Sequence, residues 1–248
     1  MKTIDFTLEG YTALLARFFE NGYRVRQFSD VVQSEADLVL RHDVDFSLDA
    51  ALSLAMVEAE HDCKATYFVL LRSEFYNLLS AKNKSTLHSL KARGHEIGLH
   101  FDAALYENDL EALSEAAEFE CGILQDILGQ RIEVISFHRP NPALLGLSDT
   151  LAGRIHAYQP KFFNEMGYCS DSRGAWHHGH PLEHHAVSER TALQLLTHPI
   201  WWTGSSVIPE CRLRNFLIEQ TRHLDAELAV QCEPHKAGTL KIIQEPTQ

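Results

Sequence analysis

Five apolar runs in this chain each end in residues that can bind a cation or move a proton. Residues 37–40 lead into Asp43 and Asp45, and 95–99 lead into His100 and Asp102. Residues 132–137 lead into His138 and Arg139, 167–170 into Asp171, and 193–197 into His198. Carboxylates and imidazoles are the usual ligands of a catalytic divalent metal, and they are also the commonest general bases and acids. Arginine adds a fork that fixes a carboxylate in place. A lone His after a strand is more often a surface or hydrogen-bonded core residue than a ligand. Five strand ends of this kind together outweigh that reading and point to metal-binding or acid–base side chains gathered at one place.

The elements that must position these residues alternate between strand and helix. A helix is expected over 11–19, ended by Asn21-Gly22, and a short buried strand over 37–40 runs straight into Asp43. Ser47 can cap the next helix, 48–60, with Asp49 in its first turn. A strand follows at 66–71, a helix at 85–92 stopped by Gly94, and a strand at 95–100. A long helix over 109–128 ends at Gly129, and strands are expected at 132–137, 167–171 and 193–198. A helix over 212–230 follows the last strand. Such alternation gives a mainly parallel sheet with helices outside it, the α/β class. In parallel α/β folds the C-terminal strand ends share one face, and the polar residues here all lie at those ends.

Composition narrows the field. The 248 residues are 45% hydrophobic and 23% charged, within the range of an ordinary globular chain. No linker, repeat or low-complexity tract divides it, so one domain over 1–248 is expected. A net charge of -12 argues against a nucleic-acid partner, which would need a basic face. No apolar run is long enough for a membrane span. The start, with Asp5 and Glu9, has no apolar signal core, which predicts a cytoplasmic protein. The five cysteines are scattered with no CxxC pair, as expected of reduced thiols.

Four strings in this order resemble the polysaccharide deacetylases, the NodB-homology group or carbohydrate esterase family four. They are Arg41-His42-Asp43-Val44-Asp45, Gly94-His95-Glu96-Ile97-Gly98-Leu99-His100, Phe137-His138-Arg139-Pro140 and Leu196-Thr197-His198-Pro199. The Asp-x-Asp form of the first, Ser170-Asp171-Ser172, and the Trp201-Trp202 pair after His198 resemble a WbmS-like bacterial branch associated with surface polysaccharides. The resemblance implies a distorted, incomplete (β/α) barrel and hydrolysis of an N-acyl group on an amino sugar or sugar conjugate. It implies a divalent metal cofactor, zinc by preference. By the same resemblance Asp43 is the general base, Asp45 and His100 are metal ligands, and Arg139 positions the base. Asp171 would orient that Arg, and His198 would protonate the departing amine.

Three departures from the family pattern bear on these roles. The family's second metal-binding His falls at Ala104, and a catalytic zinc normally holds three protein ligands. His138, at a neighbouring strand end, is the expected replacement, with Asp102 as its competitor. The backbone N–H that the family uses for the oxyanion falls at Pro142, which has none, leaving the metal or the amide of Asn141 or Ala143. The histidine-rich run over 177–185 has no counterpart and reads as a solvated loop. Trp201 and Trp202 could wall a sugar site or belong to the core, Phe19, Phe162 and Phe163 read as packing, and His42 could support the metal site or bond to backbone. A deformylase, a metal-independent amide hydrolase, or a degenerate sugar- or partner-binding barrel are the alternatives on the same scaffold.

Overall fold

A computed structural model describes residues 5–139, 142 and 144–238. The chain divides into two compact units, Met1–Thr203 and Gly204–Gln248. In the first unit the order is α1 (Leu8–Glu20), β1 (Arg24–Val25), β2 (Asp37–Val44), α2 (Leu48–Glu60), β3 (Thr66–Val69), α3 (Ala81–Ala92) and β4 (Glu96–Phe101). It continues with α4 (Leu110–Leu128), β5 (Val134–Phe137), β6 (Ile155–His156), α5 (Pro160–Phe163), β7 (Gly167–Ser170), α6 (His185–Glu189) and β8 (Leu193–Thr197). The second unit is built on one helix, α7 (Pro209–Gln231). No helix among the described residues is long and apolar enough to cross a membrane.

Local chemistry sets the helix ends. Thr7, Ser47, Ser80 and Asp109 each accept a backbone N–H from the first turn of the helix they precede. Such caps satisfy a donor that the helix itself cannot. Gly129 closes α4 at a φ of 65°, a left-handed conformation that glycine adopts without steric cost.

All the strands pair in parallel, in the order β6-β5-β4-β3-β2-β8-β7, with β1 pairing the start of β2. Among the described residues no pairing joins β6 to β7, so the sheet is open. It is also strongly curled. In a flat sheet β5 would lie three strand spacings from β2, about 14 Å. Yet Arg41 on β2 bonds Ser136 on β5 at 2.7 Å. Likewise Gln194 on β8 reaches the carbonyl of Ala157, just after β6, at 3.2 Å. The result is an incomplete (β/α) barrel of parallel strands, as expected.

Alternation along β2 divides its side chains between the two faces. His42 and Val44 point to the helices, while Arg41 and Asp43 point into the curl. On the helix side, the fully buried Glu58 of α2 accepts from Tyr11, Tyr67 and His42, each at 2.6 Å. His42 thus donates through Nε2, and its Nδ1 bonds Thr197 Oγ1 at 2.6 Å. This bond ties β2 to β8 one residue before His198. His42 is thus anchored to side chains on the helix face, remote from the inward positions.

The interior of the curl is tight at Gly98 of β4. A Cβ there would lie 2.6 Å from the Phe68 ring and 2.8 Å from the Val134 carbonyl oxygen. Backbone on one side cannot yield as a flexible side chain can. Gly98→Ala should therefore cost about 1–3 kcal/mol of stability, the usual range for overpacking. Urea denaturation of the two proteins is the check, and equal midpoints would show that the wall relaxes freely.

Candidate metal and acid–base site

Inward positions at the C-terminal ends of β2, β4, β5, β7 and β8 surround a cavity of about 290 Å³. Its walls include Asp43, Asp45, His100, His138 and His198, together with Tyr158, Tyr168, Ser170 and Ser172. Parity explains the set. His100 is paired with Ser136 in the β4–β5 register, and Ser170 with Leu196 in the β7–β8 register. Two residues on from Ser136 and Leu196 come His138 and His198, on the same face.

Asp45, His100 and His138 each offer one ligand atom, all within 4.8 Å of one another. Asp45 Oδ1 lies 3.1 Å from His100 Nε2 and 3.3 Å from His138 Nδ1. Donors around a tetrahedral zinc at about 2.0–2.1 Å would be about 3.3 Å apart. The proton inventory supports a cation there. Ser136 donates its single proton to Asp43 Oδ1 at 3.1 Å, so His100 Nδ1–H must donate to Ser136 Oγ, 3.0 Å away. That leaves His100 Nε2 directed at Asp45 Oδ1, with room between them for a proton or a cation, so the residues fit a divalent metal. Asp45 is held in its charged form, well below the usual carboxylate range, by the His100 and His138 contacts that outweigh its burial.

Asp102, the competing ligand, is engaged elsewhere. Both its oxygens accept from Arg139, and Oδ1 also accepts the amide of Ala104. Ala104 itself is exposed in the turn Ala103–Leu105 and has no donor to offer. Among the described residues the histidine-rich run forms no group of three metal-type ligands. His180 and His184 instead cap turns, accepting from Leu182 and Ala186.

Asp43 is the other inward carboxylate of β2. Arg41 grips it with Nε to Oδ1 at 2.9 Å and NH2 to Oδ2 at 2.7 Å. This pair, with His100 beside it, holds Asp43 ionised in spite of burial. The expected partner was Arg139. In the structure Arg139 pairs with Asp102, with 57% of its side chain exposed. Burial would lower the pKa of His198, but Asp171 reverses this and raises it to about 9. Asp171 is fully buried and accepts His198 Nδ1 at 2.6 Å, the His198 amide at 3.0 Å and Trp202 Nε1 at 2.8 Å. Asp171 therefore orients His198, where the resemblance had it orient Arg139. His198 Nε2 is left facing Asp45 Oδ2, 3.9 Å away.

Some participants were not singled out beforehand. Arg41, Ser136, Tyr158 and Tyr168 all reach the cavity or the groups lining it. Arg41 stands two residues before Asp43 and Ser136 two before His138, so strand parity alone could have found them. Trp201 and Trp202 are both buried, and Trp202 packs against Phe6, Tyr11 and Trp176. They are core residues here, and neither forms an open wall. Phe162 is buried, Phe19 meets the His61 ring, and Phe163 packs between Tyr158 and Tyr168, all in keeping with packing roles. Pro142 is exposed, while Pro140, Asn141 and Ala143, two of them the expected oxyanion donors, lie outside the described residues.

No protein-family model matches the chain, and no curated protein matches it. Solved structures do. The Streptococcus pyogenes deacetylase PplD is similar at 14% identity and a TM-score of 0.46, over 84% of this chain and 85% of that one. A family 4 carbohydrate esterase from Bacillus anthracis is similar at 17% identity and a TM-score of 0.44, over 82% and 83%. The chitin deacetylase of the fungal pathogen Colletotrichum lindemuthianum follows at 17% and 0.41, over 81% and 86%. At such identities the chemistry of this chain has to be read from its own side chains.

The ligand set predicts a clear ranking of variants. His138→Ala should weaken zinc binding on the order of a hundredfold or more, since a ligand is lost. Asp102→Ala should weaken it tenfold or less, the lower range for groups outside the ligand set. Calorimetric titration of metal-stripped protein measures both. The reverse ranking would move the third ligand to Asp102.

Proposed function

We propose that this chain is a metal-dependent carbohydrate deacetylase that hydrolyses an N-acyl group, acetyl by preference, from an amino sugar or sugar conjugate. The observation that carries the reading is the pairing of a three-ligand cluster with two proton-transfer groups of opposite character. Asp43 is an ionised carboxylate, 3.6 Å from His100 Nε2. His198 is an imidazole that Asp171 keeps protonated at neutral pH. A base and an acid beside one cation site are what amide hydrolysis needs. The WbmS-like motifs favour an amino sugar used in a surface polysaccharide, such as a lipopolysaccharide O-antigen.

The steps follow from the residues. A divalent cation held by Asp45, His100 and His138, zinc by its nitrogen and oxygen donors, would acidify a water and polarise the acyl oxygen. Asp43 takes a proton from the attacking water, using a lone pair that the Arg41 fork leaves open. His198 Nε2 gives a proton to the amide nitrogen as the C–N bond breaks, so that an amine leaves and not its anion. Asp171 holds the His198 ring in register and stabilises its charged form. Tyr158, Tyr168, Ser170 and Ser172 supply a part-aromatic, part-hydroxylic wall suited to a sugar ring.

The test is metal analysis of protein purified without an affinity tag, together with acetate and formate release from nucleotide-linked N-acyl sugars. Acetate release that needs bound metal is expected. Formate release alone would make the protein a deformylase, and turnover by metal-free protein would make it a metal-independent amide hydrolase. If neither acid is released, the catalytic reading fails.

Two variants separate the roles. Asp43→Asn should abolish turnover while the folded protein keeps its metal, because a base is lost and no ligand. His198→Ala should lower kcat on the order of a hundred- to ten-thousand-fold, the range for a general acid, with little change in KM. An effect confined to KM would reduce His198 to a binding residue.

A further inference from the structure

We infer that Arg41, two residues before the base on the same strand, is the positioning residue that holds Asp43 for catalysis. The inference rests on the proposed hydrolase reading and goes beyond it. The family that the motifs resemble assigns this task to the arginine after the third strand motif, here Arg139.

The geometry assigns the two arginines different partners. Arg41 and Asp43 form a fork-on-fork pair, with two parallel N–H···O bonds of 2.9 and 2.7 Å. Pairs of this kind fix orientation as well as charge. Arg41 is itself clamped from three other parts of the barrel. Its NH2 also bonds Ser136 of β5 at 2.7 Å and Tyr158 after β6 at 3.2 Å, and NH1 bonds Gln194 of β8 at 3.3 Å. The guanidinium carbon lies 4.7 Å from the centre of the Tyr158 ring. The guanidinium is fully buried, so neither water nor a loop can redirect it. Arg139, in contrast, is largely exposed and shares both Asp102 oxygens.

Strand parity makes the arrangement possible. Residues two apart on β2 share the inward face, so Arg41 lies beneath Asp43 and holds it from within the barrel. The upper side of the carboxylate remains open to the cavity. Ser136 joins this clamp to the metal side, because it contacts Arg41, Asp43 and the Nδ1 of His100. The base and one ligand are therefore aligned by a single buried hydroxyl.

The experiment compares Arg41→Lys with Arg139→Gln in the full, metal-loaded chain on the N-acyl sugar that the parent hydrolyses best. Lysine keeps the charge and removes the fork. Expected for Arg41→Lys is a fall in kcat on the order of a hundredfold, with KM and the zinc Kd within about threefold of the parent. Arg139→Gln should keep kcat within about tenfold, and its exposure makes it a variant that folds in any case. A kcat loss on the order of a hundredfold for Arg139→Gln overturns the inference, whether or not Arg41→Lys folds. A loss in Arg41→Lys shared equally by kcat, KM and zinc affinity also overturns it, because that marks a general structural role. A parent that hydrolyses no N-acyl sugar overturns the function itself, which is a different result from a working parent with the arginines reversed.

Discussion

A β-strand sends successive side chains to opposite faces, and the last inward positions of β2 and its extension are Arg41, Asp43 and Asp45. Three ionisable groups in a row would be prohibitive inside an apolar barrel unless each found a partner. The curl of the sheet supplies those partners. Ser136 and Gln194 meet Arg41, Arg41 meets Asp43, and His100 and His138 meet Asp45. A one-residue slip of β2 would bring His42 and Val44 inward and bury Asp43 among the helices. The His42–Glu58 and His42–Thr197 bonds oppose that slip from the other face.

The histidines show how partner identity decides role. His100, His198 and His42 all sit at or beside strand ends, and each is held by a partner on Nδ1. A hydroxyl holds His100, so its other nitrogen is left to face Asp45 at the candidate cation site. A buried carboxylate holds His198, so its other nitrogen keeps a proton to give. His42 has both nitrogens engaged by Glu58 and Thr197, so it can do neither and serves the fold. Imidazole chemistry is the same in all three; the second contact makes the difference.

Much of this was legible in the sequence, and the limits have physical causes. The long apolar strands and the cap Ser47 stand out because period and capping chemistry are local. Strands β1 and β6 have two residues each, too few to carry any period. Helix α3 begins at Ala81, earlier than the expected 85, because its first turn is Ala-Lys-Asn-Lys and has no large apolar side chain. In the cluster, Asp45 and His100 came from the motif resemblance and His138 from its strand-end position. The partners of Arg139 and Asp171 were not legible. Both were assigned by motif, and a motif says which residues are present without saying which carboxylate each one meets after the strand ends. Parity does say this for residues two apart on one strand, which is how Arg41 could have been paired with Asp43.

A charge inventory shows why the site calls for a cation. Asp43, Asp45 and Asp171 contribute three negative charges to the interior, while Arg41 and protonated His198 contribute two positive ones. Arg41 answers Asp43, and His198 answers Asp171. Asp45 is left over, and it is the carboxylate that both His100 and His138 face. Without metal the balance requires a proton on that pair, and the pKa of His138 is raised by Asp45 in keeping with this. A divalent ion at the same point satisfies the carboxylate and both ring nitrogens at once. Its binding must then displace the proton, which couples metal affinity to pH through the same three side chains.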